Sequence, residues 1–274
     1  MPFWFIYGMS NFFAFLLSRV FRYRYKVVHA NLTRAFPEKS EKEKKKIFHA
    51  FYRNLGDLLV ESMKGFTMSD KELYKRLVVL NPEVLTAYEK TGKSIMAVTA
   101  HTGNWEWGIL SAPHYTKMIP AGLYKPLSNK RIDAYMRRNR SRTGSVLCSI
   151  YLTGMSFQKY IDKGSLFLLI ADQSPSNLKK SYWVNFFGTE TACLHGPEKY
   201  ATMFNLPVYF FSVHRVKRGY YQIEFSKITD TPNELPSGKI TEIYMGMLES
   251  YIRKNPSNWL WSHRRWKHKR SDYN

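Results

Sequence analysis

One histidine and one carboxylate stand close together where the chain changes character abruptly: Ser94 to Gly108 reads SIMAVTAHTGNWEWG. His101 and Glu106 are five residues apart. On a continuous helix that spacing turns the two side chains about 140° away from each other. A loop containing Gly103 can instead fold them together. A carboxylate on one ring nitrogen of a histidine fixes its tautomer, raises its basicity and leaves the other nitrogen free to take a proton. The chemistry this would serve is general-base activation of a hydroxyl nucleophile. The spacing alone also permits an ordinary structural pair. A helical zinc site would need a second histidine one turn after the first, and Trp105 stands there, so no metal is expected.

The elements that must position these residues can be read around them. Ser94 to Ala100 is an apolar run of strand length, followed by a polar loop and an apolar run from Trp105 to Leu110. That is a strand, loop and helix, the place where open α/β sheets keep their chemistry. Further strands are expected at Met118 to Tyr124, Ser145 to Ile150, Leu166 to Ala171 and Trp183 to Phe187. A hairpin is expected from Val208 to Val216 and Tyr220 to Ile228, across Lys217-Arg218-Gly219. Helices are expected from Asn81-Pro82-Glu83, with Asn81 as the cap and Pro82 at the first helical position, to Gly92, from Asn129 to Arg142, from Thr153 to Lys163, from Gly196 to about Asn205 and from Lys239 to Lys254. The Asn129 helix carries six Lys or Arg side chains, an excess that favours anion binding over a merely solvated face.

Before residue 80 the pattern is helical. Ser40 and Glu43 form a capping box, and Ile47, Phe48, Phe51, Leu55, Leu58, Leu59 and Met63 recur at helical spacing. Asn31 to Pro37 reads as a connector, and Asp70 to Leu77 as a short helix. Pro2 to Leu17 is almost wholly apolar and is followed by Arg19, Arg22, Arg24 and Lys26. It is marginal in length for a bilayer span, and positive charge beside it marks the cytoplasmic side. The expectation is an N-terminal anchor over residues 1–26, tilted through the membrane or lying in its face; a buried helix of the domain is the alternative. A single domain over 27–274 follows, with a helical layer at 40–80 and an α/β core at 81–274. The fold class is thus α/β, a mixed and partly parallel sheet flanked by helices.

The chain has 274 residues and a formal net charge of +21, with 16% aromatic residues. The charge calls for an anionic partner, and the aromatic content favours a membrane surface. No nucleic-acid-binding motif accompanies it, which argues against nucleic acid. The ending NWLWSHRRWKHKR has an interfacial composition that would also suit a phosphate site, with His263 beside Arg264 and Arg265. Two cysteines, Cys148 and Cys193, imply no disulfide framework.

Several separated stretches resemble the lipid A late acyltransferases (the lauroyl and myristoyl transferases) within the lysophospholipid acyltransferase group. NLTRAFPEKSEKEK resembles their N-terminal segment and HTGNWE their catalytic box. RNRSRTG, from Arg138 to Gly144, and ADQSP resemble two later segments, as do NFFG and GPEKYATMFNLPV. NPSNWLWSHRRWK resembles their ending. The resemblance implies acyl transfer from an acyl thioester, acyl-acyl carrier protein or acyl-CoA, to a hydroxyl of an anionic lipid acceptor, a lipid A precursor. Relatives in the wider group acylate lysophospholipids, aminolipids and other glycolipids. It also implies His101 as the base, Glu106 as the group that orients it and stabilises its cation, and Asn104 as support for the loop. Arg140, with Arg138, would bind an anionic group or the developing oxyanion. Asp172 and Gln173 would line the pocket. No cofactor is implied, because the acyl group arrives activated. The expected location is the inner membrane, with the catalytic domain on its cytoplasmic face.

Overall fold

The computed structural model describes residues 1–272. The N-terminal layer comprises α1 (Phe3–Phe15), which runs on into a π-type turn over Leu16–Val20, then α2 (Tyr25–Ala35), α3 (Glu41–Gly65) and α4 (Asp70–Arg76). The core follows as β1 (Leu77–Val79), α5 (Glu83–Thr91), β2 (Ile95–Thr99), α6 (Trp105–Tyr115), β3 (Ile119–Tyr124) and α7 (Lys130–Arg140). Next come β4 (Val146–Ser149), α8 (Thr153–Tyr160), β5 (Ser165–Ile170), β6 (Tyr182–Phe186), β7 (Thr189–Cys193), α9 (Gly196–Met203), β8 (Val208–Lys217), β9 (Tyr220–Thr229) and α10 (Lys239–Lys254).

Seven strands form one sheet in the order β1-β9-β8-β2-β5-β3-β4, and β6 and β7 form a separate hairpin. Every pairing in the large sheet is parallel except β8 with β9. β2 is buried along its whole length because both faces are covered. Met96 and Val98 enter one apolar cluster, with α10 residues such as Leu248, and Ile95 and Ala97 enter the other, with Trp107 and Leu110 of α6. That explains an unbroken apolar run in place of an alternating one. β2 and β5 are neighbours, yet the chain leaves β2 toward β3 and leaves β5 toward β8, on opposite sides. Their carboxyl ends therefore lie at a topological switch point, where open α/β sheets place their binding sites.

Four local expectations are corrected. Asn31 to Ala35 is the second half of α2, not a connector; Asn31 is buried and donates to the carbonyls of Trp261 and His263, both at 2.8 Å. Asn81 does not cap α5, because its side-chain amide pairs with the backbone of Phe225 in β9. The aromatic part of the tail is core and not surface: Trp259, Trp261 and Arg265 are buried, and Arg265 donates to the Ala192 carbonyl at 2.7 Å, while Arg264, Lys267, Lys269 and Arg270 are exposed. The fourth concerns α3. Its N-terminal half buries Phe48 and Phe51 as expected, but its C-terminal half buries Asp57 and Glu61 and leaves Leu59 and Met63 46% and 69% exposed.

The inward acids of α3 are explained by what they meet. Asp57 accepts from Arg215 at 2.5 Å, from Arg218 and from Ser10 of α1. A buried carboxylate must be paired in this way to persist. α1 packs along α3 through Ile6, Ser10 and Ala14, and Gly56 leaves no room there: a Cβ on it would lie 2.7 Å from the Ser10 carbonyl oxygen. The outer face of α1 is uncovered, with Trp4, Phe5, Phe12 and Phe15 exposed. Phe3–Val20 is long and apolar enough to cross a membrane, and only 17% of it is buried against the protein.

Candidate active site

The pairing of β2 with β5 sets the geometry of the site. Ile95 lies opposite Leu166 and Thr99 opposite Ile170, a constant offset of 71 residues. The ladder closes with the Ala171 N–H on the Thr99 carbonyl at 2.9 Å. The same offset carried two residues further sets His101 opposite Asp172, and there the imidazole Nδ1 lies 2.6 Å from Asp172 Oδ1. The ring is largely buried and the carboxylate wholly so. Asp172 also accepts from the His101 backbone N–H at 3.1 Å and from the Trp259 indole at 2.8 Å. Burial alone would push the Asp172 carboxyl up, but the His101 charge and these donors outweigh it and hold it below the usual carboxylate range. Burial likewise works against a charged His101, yet the Asp172 carboxylate overrides it and raises the imidazole above its ordinary value, with Glu106 adding to the effect. The ionised carboxylate accepts only, so Nδ1 carries its proton and Nε2 is the basic position.

The loop that presents the ring is clamped from several sides. Gly103 is left-handed at φ 52°, and a Cβ there would lie 2.7 Å from the Val213 carbonyl oxygen, so no larger residue fits without rebuilding the loop. Thr102 bridges to Trp259, the His101 carbonyl accepts from the Leu260 N–H at 3.1 Å, and the Gly103 N–H donates to the Asn258 carbonyl at 3.1 Å. Asn104 caps α6, its side-chain oxygen accepting from the Trp107 N–H at 3.0 Å. Its amide donates to buried Glu61 at 2.9 Å, where Tyr221 also donates, at 2.6 Å. Asn104 thus supports the loop and makes no contact with the His101 ring.

Glu106 is placed differently from the expectation. It stands in the first turn of α6, and its carboxylate closes a two-pronged pair with Arg140 of α7, Nε to Oε2 at 2.8 Å and a terminal nitrogen to Oε1 at 2.6 Å. The carboxylate in contact with the His101 ring is that of Asp172. Arg140 is therefore near the site but engaged by Glu106. Arg138 is exposed on α7 and lies outside this cluster. Gln173 is brought in, its amide 3.4 Å from His101 Nε2, and the Trp105 ring stands edge-on to the imidazole with centroids 4.9 Å apart. His263 is engaged within the protein. Its Nε2 accepts the Ser174 N–H at 3.0 Å, and burial, with Arg265 nearby, lowers its pKa to about 4.

Sequence reasoning missed the direct His101–Asp172 contact, the Trp259 clamp and the Glu61 support. The first needs the strand pairing, after which the offset gives it by arithmetic. Glu61 had a signal: with Asp57 it makes an i, i+4 pair of acids set among Leu55, Leu58, Leu59 and Val60, where only paired carboxylates persist if buried.

Comparison with known proteins bears on the chemistry. The profile of the bacterial lipid A biosynthesis acyltransferases matches residues 1–268. The chain is 27% identical over 273 residues to a lipid A biosynthesis lauroyltransferase of Escherichia coli (strain K12), an alignment covering 97% of this chain and 87% of that protein. It is 23% identical over 236 residues to a lipid A biosynthesis acyltransferase of Haemophilus influenzae (strain ATCC 51907 / DSM 11121 / KW20 / Rd), covering 84% and 72%.

Proposed function

The chain belongs to the family of bacterial lipid A biosynthesis acyltransferases, and from that premise we propose that it moves a fatty acyl group from an acyl thioester to a hydroxyl of a lipid A precursor, with His101 as the general base. The observation that carries this reading is the buried Asp172 carboxylate at 2.6 Å from His101 Nδ1, at the carboxyl ends of two adjacent parallel strands. His101 Nε2 takes the proton of the acceptor hydroxyl as its oxygen attacks the thioester carbonyl. The tetrahedral oxyanion collapses, the C–S bond breaks, and the thiolate leaves with the proton held by His101. Asp172 keeps Nδ1 protonated throughout and stabilises the imidazolium. Glu106 holds the Arg140 guanidinium at the edge of the site, where its positive charge favours the developing oxyanion.

The donor best suited to the +21 charge is an acidic acyl carrier protein. The exposed apolar helix and the family together point to membrane association. Arg19, Arg22, Arg24 and Lys26 at the end of that helix favour the cytoplasmic face of the inner membrane for the catalytic domain. The test supplies purified protein in detergent with radiolabelled acyl-carrier-protein or acyl-CoA thioesters and a tetra-acylated lipid A precursor. The reading requires a more heavily acylated lipid that is absent with His101→Ala. Equal product from that variant would refute the base assignment, and thioester consumption without a lipid product would refute the acceptor.

A further inference from the structure

A cavity of about 440 Å³ opens where α1 ends, bounded by the Leu16–Val20 turn, α2 and the first turns of α3. It shares no residue with the His101 cluster. Arg19, Arg22, Lys44 and Lys45 line it, four cations against one carboxylate, Glu41. Glu41 is already shared by Lys44, at 2.9 Å, and His29, at 3.8 Å. Among the described residues no carboxylate pairs with Arg19, Arg22 or Lys45, and Arg19 lies 3.4 Å from the ring of His49, another wall of the cavity. Burial, then Arg19 and Lys45, lower the pKa of His49 and keep it neutral. Cations gathered without counter-charge repel one another, and an anion between them would relieve that repulsion.

The backbone is strained at the same place. Arg22 and Arg24 are left-handed, at φ 47° and 51°. For non-glycine residues this backbone is strained, and such strain clusters at functional sites. The turn they make brings Arg22 and Tyr25 onto one wall with Arg19, while the Arg24 guanidinium anchors the turn on the Ser262 carbonyl at 3.0 Å. The position along the membrane normal is also set. The cavity begins where the uncovered apolar helix stops, and Phe21 beside it is 69% exposed, with Tyr23 and Tyr25 also exposed. Aromatic residues next to Lys and Arg at the end of an apolar helix sit at headgroup level, whether the helix crosses the bilayer or lies in its face.

We infer that this cavity binds the headgroup phosphate of an anionic phospholipid of the bilayer, as a site separate from the acyl-transfer centre. The phosphate accepts from Arg19, Arg22 and Lys45, and the glycerol backbone leads out past Phe21 to the apolar surface of α1. A basic pocket between helices at the membrane surface has the chemistry for this, at roughly a fivefold gain in affinity per cation.

The experiment titrates the full chain in neutral detergent with short-chain phosphatidylglycerol, with short-chain phosphatidylcholine as the reference. Three proteins are compared: wild type, Arg19→Gln/Arg22→Asn/Lys45→Gln, and Lys90→Gln/Lys93→Gln/Lys163→Gln, which removes the same charge from exposed positions on other elements. Asparagine is used at position 22 because it tolerates the left-handed backbone. Lys45→Glu alone, on an exposed helical turn, gives a second check that leaves the Arg22 turn intact. The expected result is a loss of about 100-fold in phosphatidylglycerol affinity for the cavity variant and about 10-fold or more for Lys45→Glu, with none for the distant variant. Equal losses in cavity and distant variants would reduce the effect to net charge and overturn the site. So would wild-type affinity in the cavity variant. A cavity variant that kept its phosphatidylglycerol affinity and raised only the KM for the phosphorylated acceptor would assign the cavity to the acceptor, and would overturn the bilayer-lipid assignment.

Discussion

His101 and Asp172 face each other because two parallel strands are paired with a fixed offset, and the imidazole and carboxylate meet at 2.6 Å two residues beyond the last paired position. The carboxylate on the ring thus comes from the end of the neighbouring strand, β5, not from the loop that carries His101. Asp172 is buried among three donors, so its removal does more than lose one contact.

Asp172→Asn should therefore lower kcat by about 10²- to 10⁴-fold, since an amide oriented by Trp259 no longer fixes the Nδ1–H tautomer. The KM for either substrate should change little. Single-turnover transfer with a fixed thioester donor measures the effect. A variant within threefold of wild type would mean that the imidazole needs no such partner.

Glu106 and Arg140 act as a unit. Replacing either, by Glu106→Gln or Arg140→Ala, should cost about 10- to 100-fold in kcat/KM, and the double variant should cost scarcely more than the worse single. A double-mutant cycle on kcat/KM reads this as a coupling of about 1–3 kcal/mol. Strictly additive losses would show that the two-pronged pair has no joint role.

Gly103→Ala places a Cβ 2.7 Å from the Val213 carbonyl at a residue with φ 52°. The loop carrying His101 must then shift, and activity should fall at least tenfold with a melting temperature lower by only a few degrees. A fully active Gly103→Ala enzyme would contradict the clamped loop.

Asp57 tests how α1 is held. Asp57→Ala leaves Arg215 and Arg218 without their shared carboxylate beneath α1, and should cost about 3–5 kcal/mol of stability. Limited proteolysis should then cut the segment between α1 and α2 faster. Unchanged protection there would show that apolar packing alone holds the helix.

Much of the frame was legible in the residues. The apolar run after Ser94 reads as a buried strand because it is one, covered on both faces, and α10 begins and ends where its pattern does. The loop with His101, Asn104 and Glu106 was recognisable by its change of polarity, and Asp172 by its place at a strand end. What was not legible is what tertiary pairing decides. The partner of His101 lies 71 residues away and is chosen by strand register. Glu106 looked like that partner because it is near in sequence, but α6 turns its carboxylate toward α7. The tryptophans of the tail looked interfacial by composition, yet Trp259 and Trp261 fill the core beneath the loop. The acids of α3 broke the apolar pattern because they anchor α1 and the loop, a reason that no single helix displays.

The pH dependence of kcat/KM in wild type and Asp172→Asn tests the central claim most directly. A base must be neutral to accept a proton, so the acid limb reports the imidazole of the free enzyme. In the wild type Asp172 raises that pKa, which sets the limb above the ordinary histidine value of about 6.5. Removing the charge leaves burial, which opposes protonation, so the limb of Asp172→Asn should move to lower pH even as the maximum rate falls. A limb that stays in place in Asp172→Asn and moves instead in Glu106→Gln would contradict the account and return the orienting role to Glu106.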